Sequence, residues 1–263
     1  MNLRRWLVSA VGLAALTGCG GKPDSGTGSE ATPSIDPKTA KLREASKTKL
    51  YTIAEALNNF GMTPGIFDEG GKKIGLSWRV AILLSLKQEK LYAQFKLDEP
   101  WDSTNNKKLI AQMPSIFASP GKPAGEGMTF YRSFTGKETV MPLPVPGKAM
   151  PGSNGKIAKG IEIPGGISDG FFNTAMIADA AEAVIWTKPD ELEFDRSKPL
   201  PKLGGAFDDG FHIAFASQEV HFFRKGTLTD ETFRGIITPN GGEIVTLPDG
   251  LGVIQSNAEA TKR

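Results

Sequence analysis

Gly166-Ile167-Ser168-Asp169-Gly170 has the G-x-S-x-G spacing of serine hydrolases, and His212 lies downstream of it as a possible base. Such a serine attacks an acyl carbon only when it stands on a strained strand-to-helix turn beside a base and an oxyanion hole. Pro164-Gly165 immediately before it makes a buried strand awkward, so the competing reading is a loop. Asp98, Glu99, Asp102 and Asn105 crowd around Trp101. Hard oxygen ligands at such spacing can hold calcium. The same residues also read as a capping turn, in which Pro100 breaks the chain, Trp101 packs inward and Asp102 caps the next helix. His212 and His221, joined by Glu219, share one face of a hairpin if Ser217-Gln218 is a two-residue turn. Zinc or copper would fit such a pair, although the third ligand is unassigned and a solvated strand face explains it as well. Trp186, ahead of Lys188-Pro189-Asp190, is either an aromatic platform for a sugar or a plug at the edge of the core.

Counts exclude other chemistries. One cysteine permits no internal disulfide, cysteine-rich zinc site or iron–sulfur cluster, and two histidines leave little room for a multi-histidine metal centre. Gly136-Lys137 is followed by Glu138, with Tyr131 where a P-loop needs its first glycine. No HExxH, EF-hand or dinucleotide fingerprint is present. No cofactor is therefore expected. Lys+Arg number 31 against 29 Asp+Glu, and a net charge of +2 does not make the concentrated basic face that nucleic acid requires.

The elements that must position these residues come in two textures. Asp36-Pro37 reads as an N-cap with proline at the first helical position. Leu50, Ile53, Ala54 and Leu57 then form a helical apolar stripe that runs on toward Asn59, before Phe60-Gly61 and Pro64. A second helical stretch is expected from Ser77, through the run Val80-Ala81-Ile82-Leu83-Leu84 and on through Leu86, Leu91, Tyr92 and Phe95. A third, short one is expected over 103–112, capped by Asp102 or Ser103. After residue 115, short β-type runs at 128–134, 139–143, 157–163, 174–177 and 183–187 alternate with Gly and Pro, and 211–223 reads as a hairpin. A last helix capped by Thr229-Asp230 runs to Ile237, before the turn Pro239-Asn240-Gly241-Gly242. Helices first and strands later predict an α+β fold, with an amphipathic N-terminal helix on an antiparallel β-sheet.

Residues 1–18 read as an export signal. Arg4 and Arg5 precede the mostly apolar stretch from Trp6 to Leu16, which is too short for the roughly 20 residues a membrane span needs. Leu16-Thr17-Gly18-Cys19 resembles the lipobox of bacterial lipoproteins. That resemblance implies cleavage before Cys19, a diacylglycerol on its thiol and further acylation, commonly palmitate, at the new amino terminus. More than one acyl chain gives stable anchoring, at about 0.8 kcal/mol per buried methylene. Residues 19–35 come next as a Gly-, Ser-, Thr- and Pro-rich tether with an r.m.s. span of roughly 20–25 Å, and 36–263 reads as a single domain. Loss of Arg4 and Arg5 with the signal leaves 29 basic against 29 acidic side chains.

Leu76-Ser77-Trp78-Arg79-Val80, LKQEKLYAQF (86–95) and LDEPWDSTNNKKL (97–109) occur in order with Ser168-Asp169-Gly170 and Asn173-Thr174. After them come Val184-Ile185-Trp186-Thr187-Lys188-Pro189-Asp190-Glu191-Leu192 and FRGIIT. Together, over about 40–246, they resemble the planctomycete proteins carrying domain of unknown function 1559, a pilin-like family. The resemblance implies an N-terminal helix on a C-terminal sheet, as in pilins and pseudopilins, and no established reaction. Pseudopilins sometimes hold calcium, which bears on Asp98, Glu99 and Asp102. Two departures stand out. A lipobox replaces the retained hydrophobic prepilin helix that drives filament assembly, and AFASQEVHF stands where many members have AFADGSVRF, so that Ser217-Gln218 replaces Asp-Gly. A histidine that some members place ten residues earlier falls at Phe207. The expected function is non-catalytic: a lipid-anchored protein of the cell envelope, facing the periplasm or exterior, with an envelope protein or polysaccharide as partner. The alternatives are a carbohydrate- or calcium-dependent binding protein, and a hydrolase using Ser168.

Overall fold

Asp36 starts the first helix as the sequence predicts. Its carboxylate accepts the backbone N–H of Lys38 at 3.1 Å and of Thr39 at 2.9 Å, and Pro37 occupies the position where a missing N–H costs nothing. The computed structural model describes residues 35–60, 65–67, 73–141, 166–242, 245–247 and 253–254. Helix α1 (Pro37–Phe60) is 24 residues long, about 36 Å at 1.5 Å per residue. Leu50, Ile53, Ala54 and Leu57 are all fully buried along its inner face. Strands β1 (Gly65–Phe67) and β2 (Lys73–Ser77) then pair antiparallel.

The stretch expected as one helix from Ser77 is broken. Ser77 Oγ caps the four-residue α2 (Trp78–Ala81), turns come next, and α3 (Glu89–Tyr92) resumes the helix. Val80, Ala81, Ile82 and Leu83 are all fully buried, and four consecutive apolar residues cannot share one face of a surface helix. The chain turns around them instead, with Gln88 N donating to Leu83 O and Lys87 held at φ +56°. The expected third helix is a 3₁₀ helix (Asn106–Gln112), followed by a shorter one (Ser115–Phe117).

The sheet comprises β3 (Met128–Thr135), β4 (Ala175–Ile185), β5 (Leu192–Glu193), β6 (Gly210–Phe215) and β7 (Val220–Arg224), in the order β5-β3-β4-β6-β7. The long strands pair antiparallel and the short edge strand β5 runs parallel to β3, so the sheet is mixed rather than wholly antiparallel. The runs expected at 174–177 and 183–187 are one strand, β4. Of the run at 139–143, the described part, 139–141, contributes a bridge between Thr135 and Met141, and the run at 157–163 lies outside the described residues. Helix α4 (Asp230–Ile237) is next, capped by Thr229, and β8 (Val245–Thr246) pairs with β9 (Val253–Ile254).

Both faces of the sheet are covered, which is why every residue of β6 is buried. Ala214 joins the core under α1 with Leu57 and Trp78, while Ile213 and Phe215 join a second core with Phe233 and Ile236 of α4. This is the α+β arrangement expected from the order of elements.

The hairpin register differs from expectation by one residue. Ala214 pairs with Val220, Ile213 with His221 and His212 with Phe222. The turn is a three-residue loop in which Phe215 and Glu219 close the ladder and Gln218 takes φ +76°. Gln218 therefore stands in the left-handed conformation at the position where the resembling pattern has glycine. Because side chains alternate along a strand, the slip puts His212 and His221 on opposite faces.

Candidate functional site

Two buried polar centres lie on either side of β3. The first joins residues from three separate stretches of chain. Arg79, at the start of α2, is completely buried, and its guanidinium meets the carboxylate of Glu191 end-on: Nη1 donates to Oε1 at 2.9 Å and Nη2 to Oε2 at 3.1 Å. Nη1 also donates to Ser77 Oγ at 2.6 Å, while Nε and Nη2 donate to the Tyr131 carbonyl at 3.0 and 2.6 Å. Glu191 Oε2 accepts the Ser133 N–H at 2.9 Å and the Ser133 hydroxyl at 3.1 Å. The carboxylate thus takes the ladder position on β3 just before β5 begins. Burial pushes the Arg79 guanidinium below its ordinary value and Glu191 opposes that shift. Next to it, Arg132 Nη2 and Lys188 Nζ both hold Asp190, each at 2.8 Å.

The second centre lies on the α1 face of β4 and β6. Asp179 Oδ2 accepts both the backbone N–H and the ring Nδ1–H of His212, each at 2.9 Å, which assigns the Nδ1–H tautomer. Asp179 Oδ1 is buried with no hydrogen-bond partner among the described residues. Tyr131, opposite Asp179 in the ladder, shares a hydrogen bond of 2.9 Å with Ser46 of α1. Burial, reinforced by the charge of Asp179, holds the Tyr131 phenol well above its ordinary value and therefore neutral. The rings of Phe207 and Phe222 meet His212 edge-on at 5.3 and 5.0 Å, and Arg43 of α1 lies 3.8 Å over Phe222 while pairing with Asp209. An aspartate orienting a histidine is half of a nucleophilic site. Here His212 is only 1 % exposed, and the pair joins β4 to β6 inside the sheet, while Ser46 and Arg43 supply the contacts from α1.

The residues singled out from sequence are dispersed. Ser168 is exposed in a turn closed by Gly170 N to Ile167 O, near the hairpin loop, where Ser217 N donates to Phe171 O. His212 lies five residues up β6 from Ser217, roughly 15 Å away at strand rise, so the serine and histidine form no catalytic pair. Asp169, next to Ser168, is buried and spends its carboxylate on the N–H groups of Gly241 and Gly242.

Around Trp101, Glu99 pairs with Lys96 at 3.0 Å, Asn105 donates to Gln94 O, and Asp98 and Asp102 are exposed. The loop is organised instead by Asn106, fully buried, whose amide nitrogen donates to the carbonyls of Lys96, Glu99 and Pro100. The N-cap position falls on Asn105, not on Asp102 or Ser103, and has no side-chain cap; Ser103 Oγ accepts the Asn106 N–H at 3.1 Å. His221 pairs with Glu219 at 3.3 Å on the face away from His212. Among the described residues no group of three His, Cys, Asp or Glu side chains lies close enough to share a metal ion.

Trp186 has no exposed surface. It stacks on Phe117 at 5.7 Å and donates Nε1–H to Ile110 O at 2.9 Å, so it is a core plug and not a sugar platform. Cys19 lies outside the described residues. Chemical motifs in the sequence give no role to Arg79, Asp179 or Glu191. A legible signal existed for Asp179: an acid inside the apolar run Ala175-Met176-Ile177-Ala178-Asp179-Ala180 must be buried with a partner.

A family model described as a protein of unknown function (DUF1559) matches residues 41–202, which include Ser46, Arg79, Asn106, Tyr131, Asp179 and Glu191. No curated protein and no solved structure matches significantly.

Proposed function

The chain belongs to the DUF1559 family, and from that premise we propose that it is a lipid-anchored cell-envelope protein of pilin-like build, with a structural or interaction role and no catalytic activity. One observation carries the non-catalytic reading. Of the side chains that the resembling motifs bring together, Ser77 and Arg79 are fully buried and that of Glu191 is 2 % exposed, and all three are consumed by one another and by β3. Chemistry on a substrate needs such groups facing a cleft; here they lock α2 to the sheet edge. The pilin-like reading is supported by a long N-terminal helix lying on the sheet, with loops and short strands between them.

The anchor reading rests on sequence. Arg4 and Arg5, the apolar stretch to Leu16 and Cys19 stand in the order lipoprotein export requires, and Cys19 is the only cysteine. Cleavage before Cys19 discards the apolar segment that pilins use for assembly, so the protein acts as a tethered domain and not as a filament subunit. The partner is an envelope protein or polysaccharide, with neither nucleic acid nor a cofactor involved. Metabolic labelling with radioactive palmitate, followed by membrane fractionation, tests the anchor. The wild-type chain should be labelled and sediment with membranes, and Cys19→Ala should be unlabelled and released. Equal labelling, or equal membrane retention, of the two forms would overturn it.

A further inference from the structure

The half of α1 remote from the tether carries a groove that the fold does not use. Its volume is about 580 Å³, within the range of ligand sites, and it lies between α1, the turn 84–88 and residues 114–116. Glu55, Asn59, Ser85, Lys87 and Gln88 line it, and none of these five side chains has a hydrogen-bond or ion-pair partner among the described residues. Ala56, Leu86 and Ile116 supply apolar surface between them. Lys87 is held at φ +56°, one of two non-glycine residues in the left-handed region among the described residues, which costs a lysine conformational energy. One helical turn before Glu55, and so on the same side of α1, Tyr51 is 48 % exposed; it does not line the groove, but an occupant extending past Glu55 would meet its ring.

We propose that this groove binds a segment of a neutral glycan, a run of two or three sugar units. Carboxylate, amide, hydroxyl and ammonium groups together satisfy vicinal hydroxyls, which both donate and accept. Glu55 and Lys87 are opposite in sign and leave the lining without net charge, which suits a neutral ligand. The apolar strip and the Tyr51 ring suit the C–H faces of pyranose rings. These five polar residues are all exposed, so the groove is open along its length. A free small solute needs most of its surface enclosed, whereas a polymer segment can lie in an open channel. The inference deepens the interaction role proposed above and rests on it only for the source of the glycan.

Isothermal titration of the full-length chain in detergent with maltotriose, cellotriose and chitotriose tests it, with the dipeptide Gly-Leu as a zwitterionic comparison. At least one trisaccharide should bind, and Gly-Leu should not. Glu55→Ala and Tyr51→Ala should each weaken binding about tenfold, the loss of roughly one good contact. Lys87→Gly should weaken it similarly while leaving the melting temperature unchanged or higher, because glycine accepts φ +56°. This separates loss of the site from loss of the fold. Absence of trisaccharide binding, binding indifferent to these substitutions, or preference for Gly-Leu would overturn the proposal. Palmitate labelling is read independently, so either conclusion can fail without the other.

Discussion

Replacing Glu191 by alanine should destabilise the domain by a large part of its stability, and the size of the effect comes from the groups that Glu191 leaves behind. Arg79 is completely buried, and the carboxylate is its only oppositely charged contact at hydrogen-bond distance among the described residues. Without it, the cation keeps only Ser77 Oγ and the Tyr131 carbonyl. The Ser133 N–H loses its acceptor as well. Breaking a buried pair from one side costs about 3–5 kcal/mol, against a total stability of about 5–15 kcal/mol for a domain. With a urea m-value of about 2 kcal/mol/M, a loss of about 4 kcal/mol moves the midpoint down by about 2 M. Trp78 and Trp186 are both fully buried, so tryptophan fluorescence of the full-length chain reports unfolding directly. The paired substitution Arg79→Met with Glu191→Leu removes both charges together. It should regain at least half of the loss, leaving about 1–2 kcal/mol for the unpaired Ser133 N–H and Tyr131 carbonyl. A midpoint shift under about 0.5 M for Glu191→Ala, or a double variant no more stable than the single one, would refute the reasoning.

Gln218→Gly should raise the melting temperature, since a left-handed residue other than glycine costs about 1 kcal/mol and glycine's larger unfolded-state entropy offsets only part of that. Gln218→Val, β-branched at the same φ, should lower it, and thermal melts with the order reversed would show that the loop is not held as described. For Asp190, partial burial raises the carboxyl pKa, but the hydrogen bond from Lys188 and the charge of Arg132 outweigh it, so the group sits below its ordinary 3.8. A depressed folded pKa contributes stability above the unfolded value and loses it as pH falls through the folded one. The stability difference between wild type and Asp190→Asn should therefore persist near neutrality and shrink below about pH 4. A difference constant from neutrality to pH 3 in urea titrations would contradict this.

Helix α1, the strand at 128–135 and the α4 helix were legible because each carries its own local signal: a cap with an apolar stripe, a β-type run between turns, and Thr229-Asp230 before an amphipathic segment. The break after α2 was legible only in part. The run from Val80 to Leu84 is as apolar in a helix as in a coil around a core, and periodicity alone does not separate the two. The site residues fared worse, because Ser168, Asp98 and Trp186 matched chemical patterns whose meaning depends on exposure. Trp186 is fully buried, Ser168 is exposed far along the sheet from His212, and Asn106 does the work in the acidic loop.

By itself the sequence determined the α+β order of elements, the helix start at Asp36-Pro37 and the family to which the chain belongs. These rest on local propensity, capping and residue order, which short stretches of chain specify on their own. Only the tertiary structure decided that His212 turns toward Asp179 and away from His221, because one residue of hairpin register inverts every side chain on the strand. It also decided that Arg79 meets Glu191, 112 residues later. A buried charge takes whichever partner the packed fold brings within reach, and no local pattern records how that distance closes.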